Sequence, residues 1–135
     1  MKIYHHSIEV FTSKVNQLKD ITAEVQSFVS ATNIKVGQIY LFVPHTTAAV
    51  TINENTDPSV KKDFILGLSQ AFPKDQAFLH FEGNSHAHIK SSVVGNTQVV
   101  LIKDGRLKLG KWQAIYFCEF DGPRKRQLDL QVIGE

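Results

Sequence analysis

From Thr97 to Glu135 the sequence is a succession of strand patterns separated by turn signals, and this part constrains the fold most. Its apolar runs are QVVLIK, WQAIYFCEF and LDLQVI, and its turn signals are Asp104-Gly105 and Asp121-Gly122-Pro123. This spacing favours antiparallel strands joined by tight connections. A chain that ends in this way must build a β-sheet and must also protect the edges of its strands.

The preceding part of the chain mixes strand and helix patterns. We predict strands over residues 2–11, 38–43 and 48–53, a helix over about 18–30, a second helix from the Asp57-Pro58 cap to just before Pro73, a short strand over Phe78–Phe81, and a short third helix that begins at Asn84 or Ser85 and ends at Gly95. These elements predict an α+β fold with a mainly antiparallel twisted β-sheet or sandwich and two or three packed helices.

Length and composition limit the class of protein. With 135 residues, 42% of them hydrophobic, we expect residues 1–135 to form a single domain. The 15 basic and 13 acidic residues are spread along the chain, which argues against a nucleic-acid partner. Cys118 is the only cysteine, which favours a cytoplasmic protein. No apolar run approaches the roughly 20 residues of a membrane helix, so we expect no membrane partner.

Two histidines lie close together in EGNSHAHIKSS, and helical geometry separates them. At about 100° per residue, His86 shares one side of the helix with Ile89 and Val93, whereas His88 lies on the other side with Ser91 and Ser92. We expect the apolar side to face the core, so His88 is the preferred functional imidazole. If the start of this segment is extended instead, both histidines share a face and could form a site together.

His45 and His80 are the other candidates. His45 lies in PHTT between two apolar strands, where it is either buried with its nitrogens hydrogen-bonded or directed into a site. His80 alternates with Leu79 and Phe81 and should point away from the core. Three histidines from separate elements could form a metal site with one open position, although intervals of 35 and 8 residues match no compact ligand motif.

Charged residues near these histidines suggest further roles. Glu54 is poorly explained by turn chemistry and is a candidate to orient a histidine or accept a proton, and Glu82 is a second carboxylate of this kind. Arg124 follows a tight turn and suits an anionic substrate, although it could equally be a solvated charge. Lys90, Ser91 and Ser92 could donate hydrogen bonds to the same anion.

Several long motifs resemble those of one family. PHTTAAVTINENTDP, EGNSHAHIKSS, GRLKLGKWQAIYFCEFDGPRKR and LQVIGE, in this order, are similar to the motifs of the YjbQ family. The resemblance implies a small α+β fold assembled as a homotrimer, with a polar pocket near a subunit interface. It also implies that His45, His80 and His88 are metal ligands and that a basic residue stands at Arg124, while His86 lies outside the ligand set.

The resemblance also suggests an activity. Members of this family are described as secondary thiamine-phosphate synthase enzymes, a description that leaves room for this being a side activity. The implied transferase binds phosphorylated small molecules and a divalent metal ion, zinc or magnesium. We expect Glu54 and His88 to be catalytic, and Lys90, Ser91, Ser92 and Arg124 to bind substrate. The alternatives are a metal-dependent hydrolase of a phosphorylated or carboxylated metabolite, and a non-catalytic trimer that binds a metal or metabolite.

Overall fold

The computed structural model describes residues 1–75 and 77–135. The elements in chain order are β1 (Lys2–Phe11), β2 (Gln17–Asp20), α1 (Thr22–Thr32), β3 (Val36–Phe42), β4 (Ala48–Glu54), α2 (Pro58–Ala71), α3 (Ser85–Val94), β5 (Thr97–Lys103), β6 (Arg106–Leu107), β7 (Gln113–Glu119) and β8 (Lys125–Gly134). The predicted α+β class is confirmed. Within the described ranges, the helices are too short or too polar to cross a membrane.

The strands form two antiparallel sheets. The larger has the order β1-β8-β3-β5-β6 and the smaller the order β2-β7-β4. The turn Asp121-Gly122-Pro123 therefore joins strands of different sheets, so the expectation of a tight connection between paired antiparallel strands is wrong here. The connection between β3 and β4, which contains His45, also passes from one sheet to the other. These two connections lie beside the candidate site.

The main core lies between the two sheets and includes one face of α1. Alternate residues of β3 and β8 point into it, and residues of β4, β7 and α1 face them. Its fully buried members include Val25, Val29, Ile39, Leu41, Val50, Ile115, Phe117, Leu128, Leu130 and Val132. These residues account for the period-two pattern of LDLQVI, because one face of the larger sheet is buried and the other is open.

The smaller sheet is buried on both faces. Its second face, with Ala49, Tyr116 and Cys118, packs against Ala87 of α3 and Leu68 of α2. This double burial explains why the sequence of β7 is almost continuously apolar rather than alternating. The Cys118 thiol is a core group, as expected from its place in that run, and burial raises its pKa.

Helix boundaries follow the capping residues. Asp57 accepts a hydrogen bond from the Ser59 N–H at 2.9 Å and Pro58 takes the first helical position, as predicted. The first helix begins at Thr22 rather than near Leu18, because residues 17–20 pair with β7 as a strand. Asp20 then accepts from the Thr22 N–H at 2.9 Å, which marks the true start of α1.

Two other local predictions are wrong. Phe78–Phe81 forms no strand, since the segment pairs with no strand of the described residues and its side chains are exposed. Helix α3 buries Ala87, Lys90 and Ser91, whereas Val93 is 59% exposed. The reason is close packing: α3 lies against the alanines of β4, where the Ser91 hydroxyl donates to the Ala48 carbonyl at 2.6 Å.

One strand pair of the larger sheet depends on two glycines. Gly37 of β3 and Gly134 of β8 are directly opposite each other in the ladder. A Cβ on Gly37 would overlap the Ile133 carbonyl oxygen, and a Cβ on Gly134 would overlap that of Val36. The main chains of β3 and β8 are therefore so close at this point that neither position has room for a side chain.

Candidate functional site

His45 is held by the strand next to it. It lies in the connection between β3 and β4, and its Nε2 accepts a hydrogen bond from the Gln127 N–H of β8 at 2.9 Å. Burial lowers the pKa of the His45 imidazole, and the positive charge of Arg126 lowers it further. The ring is therefore neutral at pH 7. Because a neutral imidazole has one lone pair and one N–H, its proton resides on Nδ1.

A buried ion pair lies beneath this histidine. Arg126 of β8 donates through Nε to Glu119 Oε1 at 2.9 Å, and its Nη2 donates to Glu119 Oε2, to the Thr47 hydroxyl at 2.8 Å and to the Thr47 carbonyl at 3.2 Å. Thr12 also donates to Glu119, at 2.8 Å. Burial alone would raise the pKa of Glu119, but these hydrogen bonds outweigh it and the pKa lies below its usual value. The pair therefore fixes the segment around His45 to β7 and β8.

The start of α3 brings two more imidazoles to the site. His88 lies in the first turns of α3 and His80 in the loop before it, with ring centroids 5.2 Å apart and planes at 86°. His86 is directed elsewhere, and its Nδ1 is buried without a hydrogen-bond partner among the described residues. Positions 86 and 88 therefore lie on different sides of the start of α3, although the buried side of this helix is not the expected one with Ile89 and Val93.

Arg124 is positioned by Asp121. Its Nε donates to the Asp121 carbonyl at 2.9 Å and its Nη2 forms an ion pair with the Asp121 carboxylate at 3.1 Å. The same carboxylate accepts from the side-chain amide of Asn84, the residue before α3, at 2.8 Å. Arg124 is therefore held against the N-terminal end of α3, and about half of its side chain remains exposed.

These groups line two adjoining hollows. The first, which we name the arginine hollow, has a volume of about 450 Å³ and is lined by Pro44, His45, Thr46, Thr47, His80, Glu82, Asn84, His88, Asp121, Arg124 and Arg126. The second, the hydroxyl hollow, has a volume of about 460 Å³ and is lined by His45, Thr46, His88, Ser91, Ser92, Gly95 and Asn96. His45, Thr46 and His88 belong to both and form the wall between them.

Most of the predicted site residues line these hollows, but two do not. Glu54 is at the far end of β4 from His45, and seven residues of strand at about 3.3 Å each separate them. Lys90 is 2% exposed, and its ammonium donates to Ser69 at 3.0 Å and to Asn16 at 3.3 Å. Its burial on the other side of α3 lowers the pKa of the amine. Glu54 is therefore too far from His45 for the expected proton transfer, and the Lys90 ammonium does not face the hollows, where it was expected to bind an anion.

The geometry does not match a three-histidine metal site. Nε2 of His45 already accepts a hydrogen bond and Nδ1 carries the proton, so neither nitrogen is free to coordinate. In residues 1–75 and 77–135, no group of three or more histidine, cysteine, aspartate or glutamate side chains could hold a metal ion. The residues as arranged therefore do not fit the ligand set that the resemblance implies.

Sequence reasoning missed Arg126 and Glu119, although a signal for both was present. Arg126 continues the inward alternation of Leu128 and Leu130, and Glu119 follows a run in which every neighbour is buried. Opposite charges at two core-facing positions indicate a buried pair. Asn96 was missed because nothing distinguishes it in sequence from an ordinary residue of a loop.

The fold and the hollows define a small α+β protein in which two antiparallel sheets present histidine and arginine side chains beside a helix N-terminus. The family described as UPF0047 protein YjbQ-like matches residues 6–135. A UPF0047 protein of Methanocaldococcus jannaschii is 52% identical over 127 residues, which are 94% of this chain and 92% of the relative. The chain belongs to the YjbQ-like UPF0047 family, which confirms the resemblance in the motifs.

Solved structures share the whole fold. The structure of an uncharacterized YjbQ/UPF0047 protein of Clostridium acetobutylicum is 47% identical, covers 95% of this chain and 99% of its own, and has a TM-score of 0.93. That of a protein of unknown function from Sulfolobus solfataricus is 32% identical, covers 99% of both chains and has a TM-score of 0.95. The arrangement of two sheets and three helices is therefore shared by family members of quite different sequence.

Proposed function

We propose that this protein is a transferase of the thiamine-phosphate synthase type that binds phosphorylated small molecules in the arginine hollow. The observation that carries the proposal is the convergence of Arg124 and Arg126 with three imidazoles in one hollow beside the start of α3. Guanidinium groups bind phosphate oxygens well, and the free N–H groups at a helix N-terminus favour an anion. Among the described residues, the carboxylates that line the hollow are those of Glu82 and Asp121, and Asp121 is already paired with Arg124.

The two arginines have different roles in this proposal. Arg126 uses Nε and Nη2 within the protein, so Nη1 is the nitrogen left to face the hollow. Its position is fixed by Glu119 and Thr47, which gives a preorganised donor for negative charge. Arg124 is half exposed and adapts to the bound group. His45 contributes the N–H of Nδ1, since its Nε2 is occupied by Gln127.

The reaction that fits these groups is the displacement of pyrophosphate. A thiazole ring nitrogen attacks the methylene carbon of the pyrimidine diphosphate, the new C–N bond forms, and the C–O bond breaks with its electron pair going to pyrophosphate. The products are a thiazolium phosphate and pyrophosphate, and no oxidant or reductant is needed. The chief requirement is stabilisation of the negative charge on the departing group, which Arg124, Arg126 and the N–H of His45 supply, while His88 donates a hydrogen bond or proton.

The proposal includes the assembly of the enzyme and its cellular compartment. The open face of the larger sheet has exposed apolar side chains, which supports assembly as a homotrimer. Cys118 remains a buried free thiol, in keeping with a cytoplasmic enzyme.

Calorimetric titration with inorganic pyrophosphate tests the binding role. Arg124→Ala should weaken binding about 10- to 150-fold, because one charge-assisted contact contributes about 1.5 to 3 kcal/mol. Arg106→Ala is the matched control, since Arg106 is an exposed arginine of β6 that lines neither hollow. The titration is run with and without Mg²⁺ or Zn²⁺, which also tests the divalent ion implied by the resemblance.

Turnover tests the reaction itself. The wild-type protein is incubated with the pyrimidine diphosphate and the thiazole phosphate, and the release of pyrophosphate and formation of thiamine phosphate are followed. We expect both products in equal amounts. Pyrophosphate binding without any product would instead support a non-catalytic binding protein, and phosphate release from a single substrate would support a hydrolase.

A further inference from the structure

The hydroxyl hollow differs in chemistry from the arginine hollow although the two share a wall. Apart from the shared histidines, its polar groups are uncharged: Thr46, Ser91, Ser92 and Asn96. No lysine, arginine, aspartate or glutamate of the described residues lines it. A phosphate group placed there would lose its hydration without gaining a fixed positive charge, which is unfavourable.

The polar groups of the hydroxyl hollow are partly fixed and partly available. The Ser91 hydroxyl donates to the Ala48 carbonyl at 2.6 Å, and the Asn96 side-chain oxygen accepts from Thr97 at 3.1 Å. This leaves the Asn96 amide nitrogen and the hydroxyls of Thr46 and Ser92, which have no hydrogen-bond partner among the described residues. The available set contains both donors and acceptors but no charge.

We propose that the hydroxyl hollow binds the uncharged nitrogen heterocycle of a substrate whose phosphates lie in the arginine hollow. This inference rests on the proposed function. It assigns the phosphates of one substrate to the arginine hollow and its ring to the hydroxyl hollow. The ring nitrogens and amino group of such a heterocycle match the available hydroxyl and amide groups. The bond that joins ring and phosphate then lies at the shared wall, between His45 and His88.

The spacing along α3 supports this assignment. Ser92 is four residues after His88 and therefore lies just over one turn, or about 6 Å, further along the same side of the helix. That separation is similar to the distance between a six-membered ring and a phosphate on its one-carbon substituent. Gly95 continues the wall with a φ of +101° and open space at its Cβ position, so the hollow stays wide next to Ser92.

Two probes separate the hollows: inorganic pyrophosphate and the unphosphorylated hydroxymethylpyrimidine, each titrated into the wild-type protein and its variants. Ser92→Ala and Asn96→Ala, at residues that line the hydroxyl hollow and not the arginine hollow, should each weaken hydroxymethylpyrimidine binding about 2- to 12-fold, as expected for one neutral hydrogen bond, and leave pyrophosphate affinity unchanged. Arg124→Ala should weaken pyrophosphate binding and leave hydroxymethylpyrimidine affinity unchanged. Ser27→Ala, at an exposed serine of α1, is the control and should change neither affinity.

The outcomes distinguish this inference from the proposed function. If pyrophosphate fails to bind the wild-type protein, the proposed function fails and this inference fails with it. If pyrophosphate binds but hydroxymethylpyrimidine does not, or if hydroxymethylpyrimidine binds the two hydroxyl-hollow variants as well as it binds the wild type, only the assignment of the hydroxyl hollow is overturned. Equal weakening of both probes by Arg124→Ala would also overturn it, because the two parts would then share one place.

Discussion

At the scale of single residues, two side chains of the wall between the hollows differ in how firmly they are held. His45 is oriented by a main-chain N–H of β8, and the ion pair between Arg126 and Glu119 supports that strand from below. His88 has no side-chain hydrogen bond of this kind among the described residues and is partly exposed on α3. His45 is thus a fixed donor, whereas His88 can turn toward a bound substrate and move a proton.

His88→Ala should therefore reduce turnover strongly. A positioned general acid contributes about 10²- to 10⁴-fold, and we expect a loss in that range in kcat with a smaller change in KM. His86→Ala is the matched comparison two residues away, and it should leave kcat unchanged because His86 lines neither hollow. Equal losses in both variants would mean that the helix, and not the His88 imidazole, matters for activity.

At the scale of elements, the Glu119–Arg126 pair joins strands of the two sheets. Glu119 is the last residue of β7 in the smaller sheet and Arg126 lies near the start of β8 in the larger one. Thr12, just after β1, and Thr47, just before β4, are bonded to the same pair. Four chain segments thus meet at one buried cluster, next to the connections from β3 to β4 and from β7 to β8.

Glu119→Gln should lower the free energy of unfolding at pH 7 by about 3 to 5 kcal/mol, because it leaves the buried Arg126 without a counter-charge. Denaturant unfolding measures the change, and Glu24→Gln, at an exposed glutamate of α1, is the control. The pKa of Glu119 is lowered in the folded state, so its contribution is complete above the unfolded pKa of about 4.3 and is lost as pH falls through the folded pKa. The free energies of unfolding of the wild type and Glu119→Gln should therefore become equal at acid pH. A difference between them that does not change with pH would contradict this role of Glu119.

Local signals predict the elements well where capping residues and periodicity agree. Asp57-Pro58 indicates the start of α2, and the apolar run of β7 indicates a strand buried on both sides. The sequence cannot reveal that residues 17–20 join β7, because a four-residue strand is stabilised by its partner rather than by its own pattern. Likewise, the buried face of α3, the direction of the long Lys90 side chain and the distance of Glu54 from His45 depend on how the elements pack.

At the scale of the whole molecule, part of the outer face of the larger sheet has exposed apolar side chains among its polar ones. Ile3, Ile133, Gln38 and Leu101 form a row across four paired strands, with Val99 beside it on β5. Leu101 is 57% and Val99 48% exposed. Leu79 and Phe81, in the loop around His80, are also fully exposed. Neighbouring exposed apolar side chains on a sheet face are a feature of association surfaces.

Leu101→Glu should therefore dissociate the proposed trimer. Light scattering coupled to size exclusion should give three times the chain mass of 15.2 kDa for the wild type and the single-chain mass for the variant. Leu66→Glu, at an exposed leucine of α2 away from this sheet, should remain trimeric. A wild-type protein that elutes as a monomer at micromolar concentration would refute the assembly, whatever the variants do.

The facing glycines of β3 and β8 have a consequence for how sequences of this fold can diverge. A side chain at Gly37 or Gly134 would overlap a main-chain carbonyl oxygen. Every residue has that carbonyl group, so no substitution at a neighbouring position can remove the overlap. Damage at either position therefore has no local suppressor, unlike an enlarged core residue, which a smaller neighbour can offset. Under random mutagenesis with selection for folded protein, we expect both glycines to persist, while the side chains around them exchange volume freely.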